Sequence, residues 1–164
     1  MIDVSFAAKK TTLFSGHVIR TKVGNSSFMM KFDTGAKDTV ISSDVFHGAI
    51  SEESRNKLIK ELDAKQLNTK EFVSASGDGF KGYLVKATDV SFDKCKLPVF
   101  YYYLVVKNKR VIALLGEDFI DNCKYSHEPN DDINITQFND EAYDVSISGS
   151  LSEDDLNSLI EGLE

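Results

Sequence analysis

The chain has 164 residues, 41% hydrophobic and 27% charged, which is the size and balance of one globular domain able to bury a core. It has no apolar run near the roughly 20 residues of a membrane-spanning helix and no basic-then-apolar secretory signal at residues 1–6, so no membrane partner is expected and the expected location is cytoplasmic. The formal net charge of −7 is concentrated at one end: from Asn139 onward there are eight acids and no Lys or Arg, leaving 18 acids against 19 bases before it, and without a basic stripe interleaved with aromatics no nucleic-acid partner is expected.

In chain order, Gly16 to Val23 alternates, Gly24-Asn25 is a turn, and Ser27 to Phe32 is a largely apolar strand. Together they predict a hairpin that ends at Asp33. Thr39-Val40-Ile41 is a further β-branched segment. Ser51 is a good N-cap, Glu52 and Glu53 suit a first helical turn, and Leu58, Ile59 and Leu62 share a face, so a helix is predicted from there to about Lys65. Glu71 to Ala75 and Phe80 to Thr88 are extended and are joined by Ser76-Gly77-Asp78-Gly79, a hairpin signal.

Val90 to Phe92 and Pro98 to Val106 follow as strands, and Lys107-Asn108-Lys109 as a charged turn. The tyrosines at 101–103 suit core and interface packing. Val111 to Leu115 is an apolar strand stopped by Gly116, and Glu117 to Cys123 a short helix. Tyr125 to Ser126 and Ile133 to Phe138 pair across Glu128-Pro129-Asn130-Asp131. Many short strands and few helices predict an all-β class, with residues 1–138 as the domain.

Residues 139–164 read as an acidic tail. Within it Ser152-Glu153-Asp154-Asp155 resembles a capping box, and Leu156, Leu159, Ile160 and Leu163 recur at helical spacing. Such a helix either packs on its own domain, frays in solution or docks a partner.

Three features in one order single out Asp33. An apolar strand delivers it to a bend containing Gly35; a glycine-tipped hairpin follows; and about 80 residues on, Ala113-Leu114-Leu115-Gly116 is a second apolar strand that ends at glycine and enters a helix. This order resembles the retropepsin family of single-lobe aspartic proteases. The resemblance rests on Phe32-Asp33-Thr34-Gly35-Ala36-Lys37-Asp38-Thr39-Val40-Ile41 and on Leu114-Leu115-Gly116-Glu117-Asp118-Phe119-Ile120, and it covers roughly Phe14 to Phe138. It implies a closed β-barrel or sandwich lobe with a few short helices, and an endopeptidase acting through two carboxylates, one Asp33 from each subunit of a homodimer.

On the same resemblance Thr34 braces the two loops across the interface, and Gly35 lets backbone approach the carboxylates. Gly77, Asp78 and Gly79 belong to a flap, Ser74 to Tyr83, that closes on a peptide or protein substrate. Ala36, Asp38, Val40, Ile112 and Leu114 line its binding site. Two departures stand out: the helix from Ser51 is an insertion, and Lys37 and Glu117 occupy positions where viral members carry the opposite charges, so the two are expected close together.

Other chemistry has less to support it. His17, His47 and His127 are scattered without a pair at metal-ligand spacing, and Asp131-Asp132 lacks a calcium loop's glycine and terminal glutamate. No phosphate or dinucleotide loop occurs, so no metal or other cofactor is expected. Cys95 and Cys123 are expected as free thiols, a disulfide being the alternative. The alternative function is a catalytically silent module using the same fold for dimerisation or peptide binding.

Overall fold

The computed structural model describes residues 1–12, 15–73, 77–106, 112–144 and 149–163. In chain order the elements are β1 (Ile2–Lys10), β2 (His17–Val23), β3 (Ser26–Phe32), β4 (Val40–Ser42), α1 (Asp44–His47), α2 (Glu52–Asp63), β5 (Thr69–Val73), β6 (Gly79–Ala87), β7 (Val90–Phe92), β8 (Cys95–Leu97), β9 (Phe100–Val105), β10 (Ala113–Leu115), α3 (Glu117–Ile120), β11 (Cys123–His127), β12 (Ile133–Phe138), α4 (Asp140–Tyr143), β13 (Leu151–Ser152) and α5 (Glu153–Glu161). The class is all-β with short helices, as the sequence indicates. Among the described residues no helix is long and apolar enough to cross a membrane.

The chain divides into two units. The first comprises Met1–Thr39, Thr88–Phe100 and Ala113–Ser146. Its strands run β11-β12-β1-β2-β3-β10, with β7 on β2 and β8 on β7, an open path within this unit. β1 turns Val4, Phe6 and Ala8 inward at every second position, the period of a strand with one buried face. It pairs antiparallel with β12 (Phe6 opposite Ile135) and then with β2 (Lys9 opposite Val18). Phe92, Phe100, Phe119 and Phe138 meet in the core, with ring centroids 5.1–5.8 Å apart. Such pairs add about 0.5–1.5 kcal/mol each beyond the area they bury.

The second unit comprises Val40–Ala87, Tyr101–Ile112 and Ile147–Glu164. Its strands run β4-β9-β6-β13, with β5 on β6, again an open path. Tyr101 to Val105 are all buried, so the tyrosine run is core rather than one wetted face; a strand covered on both sides carries a continuous apolar run. α2 starts where its N-cap directs: the Ser51 hydroxyl accepts from the Ser54 amide, and Leu58 and Leu62 are buried. In α5 the Ser152 hydroxyl accepts from the Asp155 amide, and Leu156 and Ile160 are buried. β13 pairs parallel with β6, Leu151 opposite Val85.

The charged turn at Lys107-Asn108-Lys109, the strand start at Val111, and Phe14 lie outside the described residues.

Candidate active site

Asp33 is presented by a hairpin whose geometry the sequence dictates closely. β2 and β3 pair from His17 opposite Phe32 to Val23 opposite Ser26, which leaves Gly24-Asn25 as a two-residue turn, with Gly24 at φ 57°. Tight hairpin turns demand positive φ, which glycine adopts without steric cost. β3 continues to Phe32, buried against the Tyr125 ring at 5.4 Å, and stops. β10 lies parallel beside it, Leu115 opposite Phe32.

The backbone then closes on itself. The Asp33 amide donates to the Leu115 carbonyl at 3.0 Å, and the Ala36 amide donates to the Asp33 carbonyl at 3.2 Å. The Gly35 amide donates to Asp33 Oδ1 at 3.0 Å, an aspartate turn in which the side chain binds backbone two residues on. Asp33 is half-buried, whereas Thr34 and Gly35 are exposed. The Thr34 hydroxyl takes no hydrogen bond among the described residues.

The loop is fastened to the strand–helix junction that follows β10. The Glu117 amide donates to the Ala36 carbonyl (2.8 Å) and the Asp118 amide to the Lys37 carbonyl (3.1 Å). Gly116 is needed here for closeness rather than for its dihedral angles: a Cβ would sit 2.5 Å from both C and O of Asp38 and 2.7 Å from its N. Thr39 completes the clasp. Its hydroxyl donates to Asp118 Oδ1 (2.6 Å) and accepts from the Gly116 amide (3.2 Å), while its amide donates to Asp118 Oδ2 (3.1 Å). Burial raises the Asp118 carboxyl above its ordinary value, the Asp38 charge adds to that, and hydrogen bonds from Thr39 and Phe119 oppose it.

Lys37 and Glu117 were expected to lie close together. Their backbones are adjacent through these bonds, but among the described residues no ion pair joins their side chains. The polar link at this junction is instead Thr39 to Asp118. Sequence reasoning missed both residues, because a threonine opening a strand and an acid in a first helical turn are unremarkable separately. Their contact spans 79 positions.

Of the expected substrate-binding positions, Ala36, Asp38 and Leu114 lie in the first unit with Asp33, Thr34 and Gly35. Val40, Ile112, Gly77, Asp78 and Gly79 lie in the second. There Val40 is buried opposite Tyr103 in β9. Ile112 is held to the end of β4: the Ser42 amide donates to its carbonyl (2.8 Å) and its own amide donates to the Ser42 hydroxyl (2.9 Å).

The glycine-tipped hairpin is β5–β6, paired from Thr69 opposite Tyr83 to Val73 opposite Gly79. Gly77, Asp78 and Gly79 are exposed, and Gly77 has φ +87°. Ser74, Ala75 and Ser76 of the expected flap lie outside the described residues. The base of the hairpin is aromatic. Phe72 stacks on Phe80 (5.5 Å) and meets Tyr103 edge-on (5.9 Å). Gly82 makes room for this, since a Cβ there would lie 2.7 Å from the Phe72 ring and 2.9 Å from Tyr103 Cβ.

The reading of scattered histidines needs correction. The fold brings His17 and His127 together, ring centroids 5.5 Å apart, beside Asp131. Their 110-residue separation hides this in the sequence.

The chain resembles a solved structure, the crystal structure of a retropepsin-like aspartic protease from Rickettsia conorii. The TM-score is 0.52 and the identity 17%, over 80% of this chain and 89% of that one. At that identity the likeness is one of fold. No protein-family model matches the chain, and no curated protein does.

Proposed function

We propose that the chain is an aspartic endopeptidase of the retropepsin type, active as a symmetric homodimer in which Asp33 of each copy forms one half of a carboxylate dyad. The observation that carries this reading is the Asp33 loop. A half-buried aspartate sits at the end of a strand with its backbone fully tied down, followed by an exposed threonine whose hydroxyl has no partner among the described residues. The retropepsin-like fold of the solved neighbour supports it.

The chemistry follows from two like charges. Two carboxylates about 3 Å apart cannot both ionise, so the pair shares a proton and titrates jointly. The ionised member takes a proton from the attacking water while the protonated member donates to the scissile carbonyl oxygen. One chain holds one such loop, so the second carboxylate comes from a copy related by a two-fold axis. Thr34 then has its natural partner across that axis.

The exposed hairpin around Gly77, Asp78 and Gly79 would bind an extended peptide by strand addition, using main-chain bonds that tolerate sequence variation. Ala36, Asp38, Val40, Ile112 and Leu114 would set side-chain preference, mostly apolar. In this reading residues 1–138 carry the catalytic domain and 139–164 an acidic extension. The two unpaired cysteines, Cys95 and Cys123, favour a reducing, cytoplasmic setting.

The test is Asp33→Asn, assayed on a peptide library with sedimentation analysis alongside. The expected result is a dimer whose cleavage rate falls by about three orders of magnitude or more. Unchanged cleavage sinks the dyad. A wild-type dimer that binds peptides without cutting them establishes the silent module instead.

A further inference from the structure

We propose that His17, His127 and Asp131 form a binding site for a divalent transition-metal ion of the zinc class. The three residues come from separate places in the first unit: the start of β2, the end of β11 and the turn between β11 and β12. Their ligand atoms all lie within 4.8 Å of one another. His127 Nε2 is 2.6 Å from Asp131 Oδ1, and His17 Nε2 is 3.8 Å from the same oxygen. A tetrahedral ion about 2.0–2.1 Å from each donor needs donors about 3.3 Å apart, so side-chain shifts of about 1 Å suffice.

Several details favour a cation over a plain hydrogen-bonded turn. Both imidazoles aim the same nitrogen, Nε2, at Asp131, His127 at Oδ1 (2.6 Å) and His17 at the carbonyl oxygen (2.6 Å) with the same Oδ1 at 3.8 Å. His17 is mostly buried, with 17% of its side chain exposed, so its ring direction is fixed. Asp131 has φ 70°, a left-handed conformation that aspartate and asparagine adopt more readily than other side chains. The turn holds it there, with the Asp131 amide donating to the Glu128 carbonyl (2.9 Å) and the Glu128 amide to the Asp132 carbonyl (2.8 Å). Lys10 Nζ binds the other carboxylate oxygen, Oδ2, at 3.2 Å. It acts from outside the site, leaving Oδ1 for the ion, much as outer partners orient ligating carboxylates.

The donor set sets the choice of ion. Two imidazoles and a carboxylate suit Zn²⁺, Co²⁺, Ni²⁺ or Cu²⁺, and not Mg²⁺ or Ca²⁺, which prefer oxygen alone. Three protein ligands leave the fourth position to water. His17 Nε2 donates to the Asp131 carbonyl (2.6 Å) and His127 Nε2 to its carboxylate. Ion binding requires each ring to carry its proton on Nδ1 instead.

The consequence is mechanical. His17 lies opposite Phe32 in the β2–β3 register, immediately before Asp33. An ion at this site would pin the β11–β12 turn to the strand pair that delivers Asp33. The site stands on its own geometry and does not depend on the protease reading.

The test is titration of the untagged full chain with Zn²⁺ by calorimetry and with Co²⁺ by visible absorption, in a Cys95→Ser background that removes a competing thiol. The expected result is one ion per chain, low-coordinate Co²⁺ bands, and a thermal midpoint raised by about 5–10 °C at a hundredfold excess over Kd. His127→Gln and Asp131→Asn should each weaken binding by at least about tenfold. Both should stay folded, since His127 is exposed and asparagine tolerates left-handed backbone. Folded protein that binds no Zn²⁺ at millimolar concentration overturns the proposal. So does binding that neither substitution weakens.

Discussion

The fastening of the Asp33 loop makes Gly116 its most sensitive point. In Gly116→Ala the new Cβ would sit 2.5 Å from two backbone atoms of Asp38 and 2.7 Å from a third, so contact has to open by about 0.9 Å to reach ordinary van der Waals separation. Backbone atoms cannot rotate aside. The junction must move, which strains the hydrogen bonds from the Gly116 amide to the Thr39 hydroxyl (3.2 Å) and from the Glu117 amide to the Ala36 carbonyl (2.8 Å). Overpacking of this kind costs about 1–3 kcal/mol, and losing two hydrogen bonds about 0.5–1.5 kcal/mol each.

The expected loss is therefore about 2–6 kcal/mol, a large share of the 5–15 kcal/mol of a typical domain. Urea unfolding followed by circular dichroism measures it, with the midpoint displaced and the slope unchanged. Gly35→Ala is the internal control. There the nearest atom is Asp33 Oδ1 at 3.4 Å, an ordinary contact, so stability should fall by less than about 1 kcal/mol. A Gly116→Ala loss below about 1 kcal/mol would refute the reasoning, because the packing argument leaves no soft atom to yield.

Thr39→Val removes the hydroxyl that serves both Asp118 and Gly116, and should cost about 1–3 kcal/mol, because the buried Gly116 amide is left unsatisfied while Asp118 Oδ1 keeps the Phe119 amide at 2.8 Å. It also changes the pH response. Burial already raises the folded Asp118 pKa above its ordinary 3.8, so the native state holds that proton more tightly than the unfolded chain does. This group's contribution to stability is greatest in acid and is lost as pH rises from the unfolded value through the folded one. Without the hydroxyl the folded value rises further, and stepwise urea titrations should show that decline reaching higher pH than in wild type. The Cys123 thiol is pushed by burial up to about 12, so iodoacetamide at pH 8 should label Cys95 well before Cys123 by mass spectrometry; equal rates would contradict this. Leu156, 1% exposed in α5, should cost about 2–5 kcal/mol as Leu156→Ala; a change within about 0.5 kcal/mol would mean the helix is dispensable to the fold.

Local signals were readable in the sequence, and contacts between distant segments were not. Gly24-Asn25 fixed the β2–β3 hairpin, and Ser51 and Ser152 marked helix starts that the structure places one residue later, because turn and cap chemistry act over three or four residues. β1 carries a local signal too, with Val4, Phe6 and Ala8 at every second position and buried, but it lies before the stretch from Phe14 that carries the resemblance. The Thr39–Asp118 clasp was not legible, nor was the meeting of His17 with His127 and Asp131. Each depends on parallel or long-range pairing that leaves no spacing pattern. Lys37 and Glu117 were expected close together, and their segments are joined through the backbone, with the Glu117 amide on the Ala36 carbonyl and the Asp118 amide on the Lys37 carbonyl.

The central claim, that one Asp33 from each of two chains makes the active centre, is tested most directly by mixing. Wild-type and Asp33→Asn chains are combined, unfolded and refolded together at constant total concentration, and peptide cleavage is followed against the wild-type fraction. A shared dyad predicts activity falling with the square of that fraction, to about one quarter at an equal mixture. A linear fall, to about one half, would show that each chain acts alone.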